Sequence, residues 1–273
     1  MRKKSPAASP AKIRLGDTQG LPAAATRLVI EAIHALNRNA LRDAEHKLMV
    51  CLAHAPTHAE PNRLLGILML RLGRPGDAMA CFREALKTRP NAADVMLPMA
   101  HSQARCNDMV GAIETLRALL AQHDNAEARH LLASMLSQHG EIDAAVAAAQ
   151  LALGADPDNA QTRLQYARNL FYCGRVADAA AQFRQLLRSG NQVASAWYGL
   201  AEMKTGALNR RDVAAMMDLG AKPGLAGLER ATLLHALGKA QEDIGDYADA
   251  YATFLEAARL ERAAYPWNRA AFA

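Results

Sequence analysis

Residues 65–90 read LGILMLRLGRPGDAMACFREALKTRP, and the spacing inside this stretch decides the fold. Gly66 lies seven positions before Gly73, Ala78 five positions after it, Phe82 four further on, and Ala85 and Pro90 close the stretch. A glycine at the end of an apolar run supplies the positive φ that stops a helix at little steric cost. The small residues Gly66 and Ala78 let two helices cross closely, Phe82 fills the space between them, and Pro90 cannot continue the second helix. The stretch therefore predicts two short antiparallel helices joined at Gly73.

Working outward, the same spacing recurs along the chain. Asn39/Ala44, Gly73/Ala78, Asn107/Ala112, Gly140/Ala145, Gly174/Ala179, Asn209/Ala214 and Gly245/Ala250 follow one another at intervals of 34, 34, 33, 34, 35 and 36 residues. Seven positions before the turn stand Ala32, Gly66, Ala100, Ala133, Ala167 and Gly238, with Glu202 in the sixth unit beside Ala201. Four positions after the alanine stand Leu48, Phe82, Leu116, Phe183 and Phe254, with Ala149 and Asp218 in the fourth and sixth units. Isolated helices of this length are marginal in water, so each hairpin must stack on its neighbours to bury its apolar stripe. Alanine and leucine together supply about a third of the chain, while valine and isoleucine are scarce, a balance that favours helix over sheet.

The period, the small residue of the first helix, the Gly/Asn turn, the alanine of the second helix and the closing Pro90 resemble the tetratricopeptide repeat (TPR). The resemblance implies an all-α, right-handed TPR superhelix, an α-solenoid of about seven helix-turn-helix repeats. On this reading residues 1–20 are a disordered basic leader, 21–262 the repeat array with a degenerate sixth repeat, and 263–273 a C-terminal helix extension or truncated linker. The segment from Leu234 through Gly238, Tyr247, Phe254 and Leu260 to Tyr265 and Arg269 is similar to the last repeat and linking helix of bacterial TPR-sulfotransferase fusions. That second resemblance implies a following catalytic domain, yet the chain holds no Pro-X-Ser-Gly-Thr-Thr type loop, so no catalytic residue carries over.

Composition excludes several classes of function. Arg2, Lys3, Lys4, Lys12 and Arg14 against Asp17 give the first 20 residues +4, leaving only +1 of the net +5 for the rest. A nearly neutral body lacks the basic face that nucleic acid requires. No apolar run is long enough to span a membrane. Cys51, Cys81, Cys106 and Cys173 form no C-x-x-C pair and read as buried, reduced thiols of a cytoplasmic protein. There is no Gly-rich phosphate loop and no nucleophile elbow, and His54 and His58 are separated by Pro56, so neither catalysis, a cofactor nor a metal is expected.

What remains is recognition. In the family resembled, the first helix of each repeat lines a concave groove. Counting six and ten residues back from each turn selects Ile33 and Val29, Ile67 and Arg63, His101 and Leu97, Ser134 and His130, Arg168 and Leu164, and Lys239 and His235. The slipped sixth repeat contributes Tyr198 and Glu202, and Tyr172 lies near this end of the lining. Val29 and Ile33 stand where a chaperone-carboxylate clamp would need polar side chains, so the lining suits a protein or peptide ligand held by apolar contacts and hydrogen bonds. Arg63 and Arg168 either reach that ligand or pair with an acid on a neighbouring helix; Trp197 and the three phenylalanines read as packing. The expected function is a non-catalytic scaffold, or alternatively the substrate-recruiting part of a sulfotransferase whose catalytic domain is absent here. A C-terminal partner domain or self-association would use Leu255, Tyr265, Trp267 and Phe272.

Overall fold

A computed structural model describes residues 13–204, 208–221, 225 and 227–266, so the leader's residues 1–12, Trp267 and Phe272 lie outside the described residues. The described residues form fourteen α-helices, and the fold is an all-α solenoid of helical hairpins. Two compact units divide the chain at Met135 and Leu136.

The first unit holds α1 (Ala23–Asn37), α2 (Leu41–His54), α3 (Ala59–Arg71), α4 (Pro75–Thr88), α5 (Ala93–Arg105), α6 (Met109–Gln122) and the start of α7 (Ala126–His139). Helices pair as α1 with α2, α3 with α4 and α5 with α6, and each hairpin stacks on the next through α2–α3 and α4–α5. Leu36, Leu48, Leu64, Leu68, Phe82, Leu116 and Leu119 are wholly buried between them. Burying one such side chain stabilises the fold by about 1.5–3 kcal/mol, which helices this short need.

Turn geometry follows the repeat. Asn39, Gly73, Asn107, Gly140, Gly174 and Gly245 all have positive φ. At Gly73 the backbone N–H of Arg74 reaches the Met69 carbonyl at 2.9 Å and that of Gly73 reaches Leu70 at 3.1 Å, the paired bonds of a Schellman stop. A Cβ on Gly66 would stand 2.5 Å from the Phe82 ring, so the small residue and the aromatic one are a matched pair. Arginine links successive hairpins: Arg71 donates to the Leu36 carbonyl at 2.6 Å, and Arg105, one repeat later, donates to Leu70 at 3.1 Å. Each completes the carbonyl end of the preceding first helix, where a cation is favoured.

The second unit holds the rest of α7, then α8 (Ile142–Ala155), α9 (Ala160–Tyr172), α10 (Val176–Ser189), α11 (Val193–Glu202), α12 (Arg210–Ala221), α13 (Leu228–Asp243) and α14 (Tyr247–Ala264). Here α11 packs directly on α13, and α13 on α14. Gly238 repeats the close approach, with the Phe254 ring 2.7 Å from where its Cβ would be. Phe183 is buried and its ring lies against Gly199 of the next hairpin, whereas Phe254 is only half-buried.

The sixth repeat departs from the expected register. Asn209 is not its turn residue. Lys204 takes the positive φ, while Asn209 caps α12 by accepting the N–H groups of Arg211 at 2.8 Å and Asp212 at 3.3 Å. Asparagine suits both a left-handed turn and an N-cap, and the shortened α11 selects the cap. The buried small residue is accordingly Ala201, with Glu202 half-exposed beside it.

Two further expectations change. Of the cysteines only Cys51 is fully buried; Cys106 is exposed and Cys81 and Cys173 are intermediate. Residues 13–20, expected to be disordered, are instead tied to α1, α3 and the α3 cap by hydrogen bonds at the N–H groups of Ile13 and Gly16 and the carbonyls of Arg14 and Gln19.

Candidate functional site

The side chains expected to line the first helices fall into two groups. In the first unit, Arg63 is buried: it donates to Glu60 at 2.7 and 2.8 Å, and Asp94 lies 3.3 Å away. Paired with two acids, and with its remaining N–H on the Arg14 carbonyl at 3.0 Å, the guanidinium takes the acid-pairing alternative that the sequence left open. Ile67 is half-buried, as are His130 and Ser134, which have partners within the chain. His101 keeps an exposed surface, yet burial pulls its pKa below 6.5, opposed by the charge of Glu127.

In the second unit five of the expected residues come together. Helices α9, α11 and α13 are the first helices of successive repeats, and α11 contacts both of the others. Arg168, Ser195, Tyr198, Thr232, His235 and Glu261 line one open pocket there. Tyr198 is its centre. Glu202 acts on its hydroxyl from one turn along α11, and the ammonium of Lys239 stands 5.0 Å from its ring centroid. Burial pushes the Tyr198 phenol above 10; the Glu202 hydrogen bond and charge add to this, and Arg168 opposes it. The phenol is thus held protonated, as a hydrogen-bond donor beside a cation–π contact.

Two more features set the electrostatics. His235 Nε2 lies 3.0 Å from a Glu261 carboxylate oxygen, and its ring stacks in tilted contact with Phe254. Arg168 is exposed and forms no ion pair among the described residues. The pocket therefore offers a cation at Arg168, an anion at Glu261 and the Tyr198 phenol, with Lys239 and Glu202 set against that tyrosine. Such a set suits a ligand carrying both donors and acceptors.

Ser195, Thr232 and Glu261 escaped the sequence reading. Ser195 and Thr232 lie three residues before Tyr198 and His235, so extending the stripe by one helical turn would have found them. Glu261 sits on α14, a second helix, where the stripe gives no signal. Tyr172, at the end of α9, is exposed and stacks against Phe171 rather than lining the pocket. Among the described residues no cluster of three or more metal-ligating side chains occurs, and no helix is long and apolar enough to cross a membrane.

Tetratricopeptide-repeat family models match residues 69–135, 164–220, 126–159 and 231–263. The chain belongs to the tetratricopeptide-repeat family. Solved structures agree. A tetratricopeptide-repeat protein from Parabacteroides merdae ATCC 43184 superposes with a TM-score of 0.64 at 17% identity, over 92% of this chain and 96% of that one. MamA from Desulfovibrio magneticus RS-1 is similar at a TM-score of 0.58 and 20% identity, over 62% of this chain and 96% of its own. YrrB, described as a TPR protein with an unusual peptide-binding site, is similar at 0.54 and 18% identity, over 75% and 96%. Identities this low speak to the fold alone. No curated protein matches the chain.

Proposed function

We propose that this tetratricopeptide-repeat protein is a non-catalytic scaffold that binds a protein or peptide, using the pocket across α9, α11 and α13 as its polar anchor. The observation that carries the reading is the gathering of Arg168, Glu202, His235 and Lys239 around Tyr198 from three first helices in succession. Helices hold these groups in place before a ligand arrives, so little ordering cost remains to be met on binding. An extended segment crossing α9, α11 and α13 meets a cation, then a phenol with its carboxylate, then a second cation. Similarity to YrrB supports the peptide reading as far as a shared fold can.

The test uses peptides selected from a random library against the full chain. Amide hydrogen exchange should slow in α9, α11 and α13 when a selected peptide is added. Protection confined to the second helices of the repeats would refute the reading.

Cytoplasmic residence is part of this proposal and is supported by four cysteines that are free and lie in separate repeats. The second reading, a recruiting region for a sulfotransferase, is favoured by one observation. Tyr247, Tyr251 and Leu255 form an exposed row at four-residue intervals along α14, the helix that would adjoin the next domain. An intact mass of the native protein that includes a catalytic domain would support it, and a native mass of 29.4 kDa would refute it.

A further inference from the structure

Residues 13–18 cross the first unit as an irregular strap that closes in a turn at Thr18–Leu21, where the Leu21 N–H donates to the Thr18 carbonyl at 3.1 Å, and its backbone is read by side chains of α1, of α3 and of the α3 cap. Asn37 holds both polar groups of one residue: the Ile13 N–H donates to Asn37 Oδ1 at 2.8 Å, and Asn37 Nδ2 donates to the Ile13 carbonyl at 3.0 Å. Arg63 donates to the Arg14 carbonyl at 3.0 Å, and Glu60 accepts the Gly16 N–H at 2.8 Å. His58 Nε2 lies 3.0 Å from the Gln19 carbonyl. At either end Ile13 and Leu21 pack against the core of the unit.

These contacts have an unusual economy. The Glu60–Arg63 pair is almost wholly buried, and it offers one acceptor and one donor to a passing main chain. Nearly every hydrogen bond goes to backbone, whereas the side chains of Arg14, Leu15, Asp17 and Gln19 remain exposed. Val29, Ile33 and Arg63, positions of the first helices that the repeat pattern directs toward a ligand, are all buried in this unit, and Ile13 and Leu21 of the strap pack against the same core. Gly16 fits only because it lacks a Cβ, which would collide with the Glu60 carboxylate.

We propose that the α1–α3 face is a second peptide-binding site, one that reads main-chain polar groups, and that residues 13–21 of this chain are its resident occupant. The strap closes the face to other ligands until it is displaced. A competing ligand would be a segment with an apolar residue for the Ile13 position and a glycine three residues later. The proposal does not depend on the pocket around Tyr198, which lies in the other unit.

The test uses full-length chains carrying Gly16→Val, which forces the strap off Glu60, or Ile13→Asp, which removes its apolar anchor. The probe is a synthetic peptide of residues 13–21, acetylated so that Ile13 keeps an amide N–H and labelled at its C-terminus. Trypsin should cut the Arg14–Leu15 bond at least about tenfold faster in both variants, because a held backbone resists cleavage. The labelled peptide should bind both variants and not the unaltered chain. Adding Asn37→Ala to Gly16→Val should weaken that binding about tenfold, the worth of two neutral hydrogen bonds. Equal protection of Arg14–Leu15 in all three chains would overturn the proposal. So would a freed strap with no peptide binding, or loss of helical circular dichroism on freeing it, since the strap would then be part of the fold rather than a ligand.

Discussion

Arg184 of α10 grips Asp212 of α12 with two hydrogen bonds, 2.7 Å from Nη1 to Oδ1 and 3.1 Å from Nη2 to Oδ2. The guanidinium also lies over the Trp197 ring, 5.7 Å from its centroid, and Asp212 accepts the Asn209 N–H at 3.1 Å. One ion pair thus fastens the degenerate sixth repeat to the fifth. It acts beside the Phe183 ring packed on Gly199, and it matters more here because Asp218 stands where the sixth repeat needs a large apolar side chain of its own.

Breaking that grip should loosen α12 selectively. Arg184→Ala is expected to cost about 1–3 kcal/mol, because it leaves a buried carboxylate short of its partner. Thermal unfolding of Arg184→Ala, Asp212→Asn and the double variant checks this. The two single losses should not add, since both remove the same contact.

Acid should act on the same contact. Burial alone would raise the Asp212 pKa, but the Arg184 hydrogen bond and the Asn209 N–H outweigh it and hold the carboxyl below 3.8. A depressed folded pKa contributes stability that is full above 3.8 and lost as pH falls through the lower folded value. Between neutral pH and 4 the contribution should therefore stay constant, and it should decline only in stronger acid. Asp212→Asn should show a smaller acid-induced loss than the unaltered chain in circular dichroism melts from pH 7 to 2.

Helix crossings should resist added bulk. Ala78 is wholly buried where α4 crosses its neighbour, so Ala78→Leu is expected to cost roughly 1–3 kcal/mol by overpacking. Gly66→Ala should be costly while Phe82 is present and less so with Phe82→Leu, because the ring is what the new Cβ would strike. Unchanged melting temperatures in these variants would undo the assigned register.

The arginine links predict a graded effect. Arg71→Ala removes the donor to the Leu36 carbonyl and should destabilise the first hairpin junction by about 1 kcal/mol. Arg71→Lys should recover only part of that, since an ammonium lacks the planar fork. Amide exchange at the end of α1 would locate the change.

The repeat itself was legible because each position has a local cause. Gly73 and Asn107 end helices through their own backbone freedom, and Ala78 and Phe82 are set by a crossing that recurs in the regular hairpins but not in the sixth repeat, where Ala214 and Asp218 are exposed. Asn209 misled because asparagine serves two local purposes and only α11 ending at Glu202 chooses between them. Arg63 occupied the right position on α3, but periodicity does not reveal that Glu60, Asp94 and the strap would enclose it. The strap was hidden for a related reason. Its partners Asn37 and Glu60 lie 24 and 44 residues away, and a short segment rich in polar residues carries no sign of them. Around Tyr198 the stripe on first helices selects Arg168, His235 and Lys239, which the fold does bring near that ring, and it is silent about Glu261 because that residue arrives from α14.

The measurement that tests the central claim most directly is the affinity of a library-selected peptide for the unaltered chain and for Arg168→Glu with Lys239→Glu, read by fluorescence anisotropy. Reversing exposed Arg168 and half-buried Lys239 beside Tyr198 should raise Kd at least about tenfold while leaving the thermal transition in place, since each lost charged contact is worth about 1 kcal/mol or more. An unchanged Kd would contradict the assignment of this pocket as the place where the partner binds.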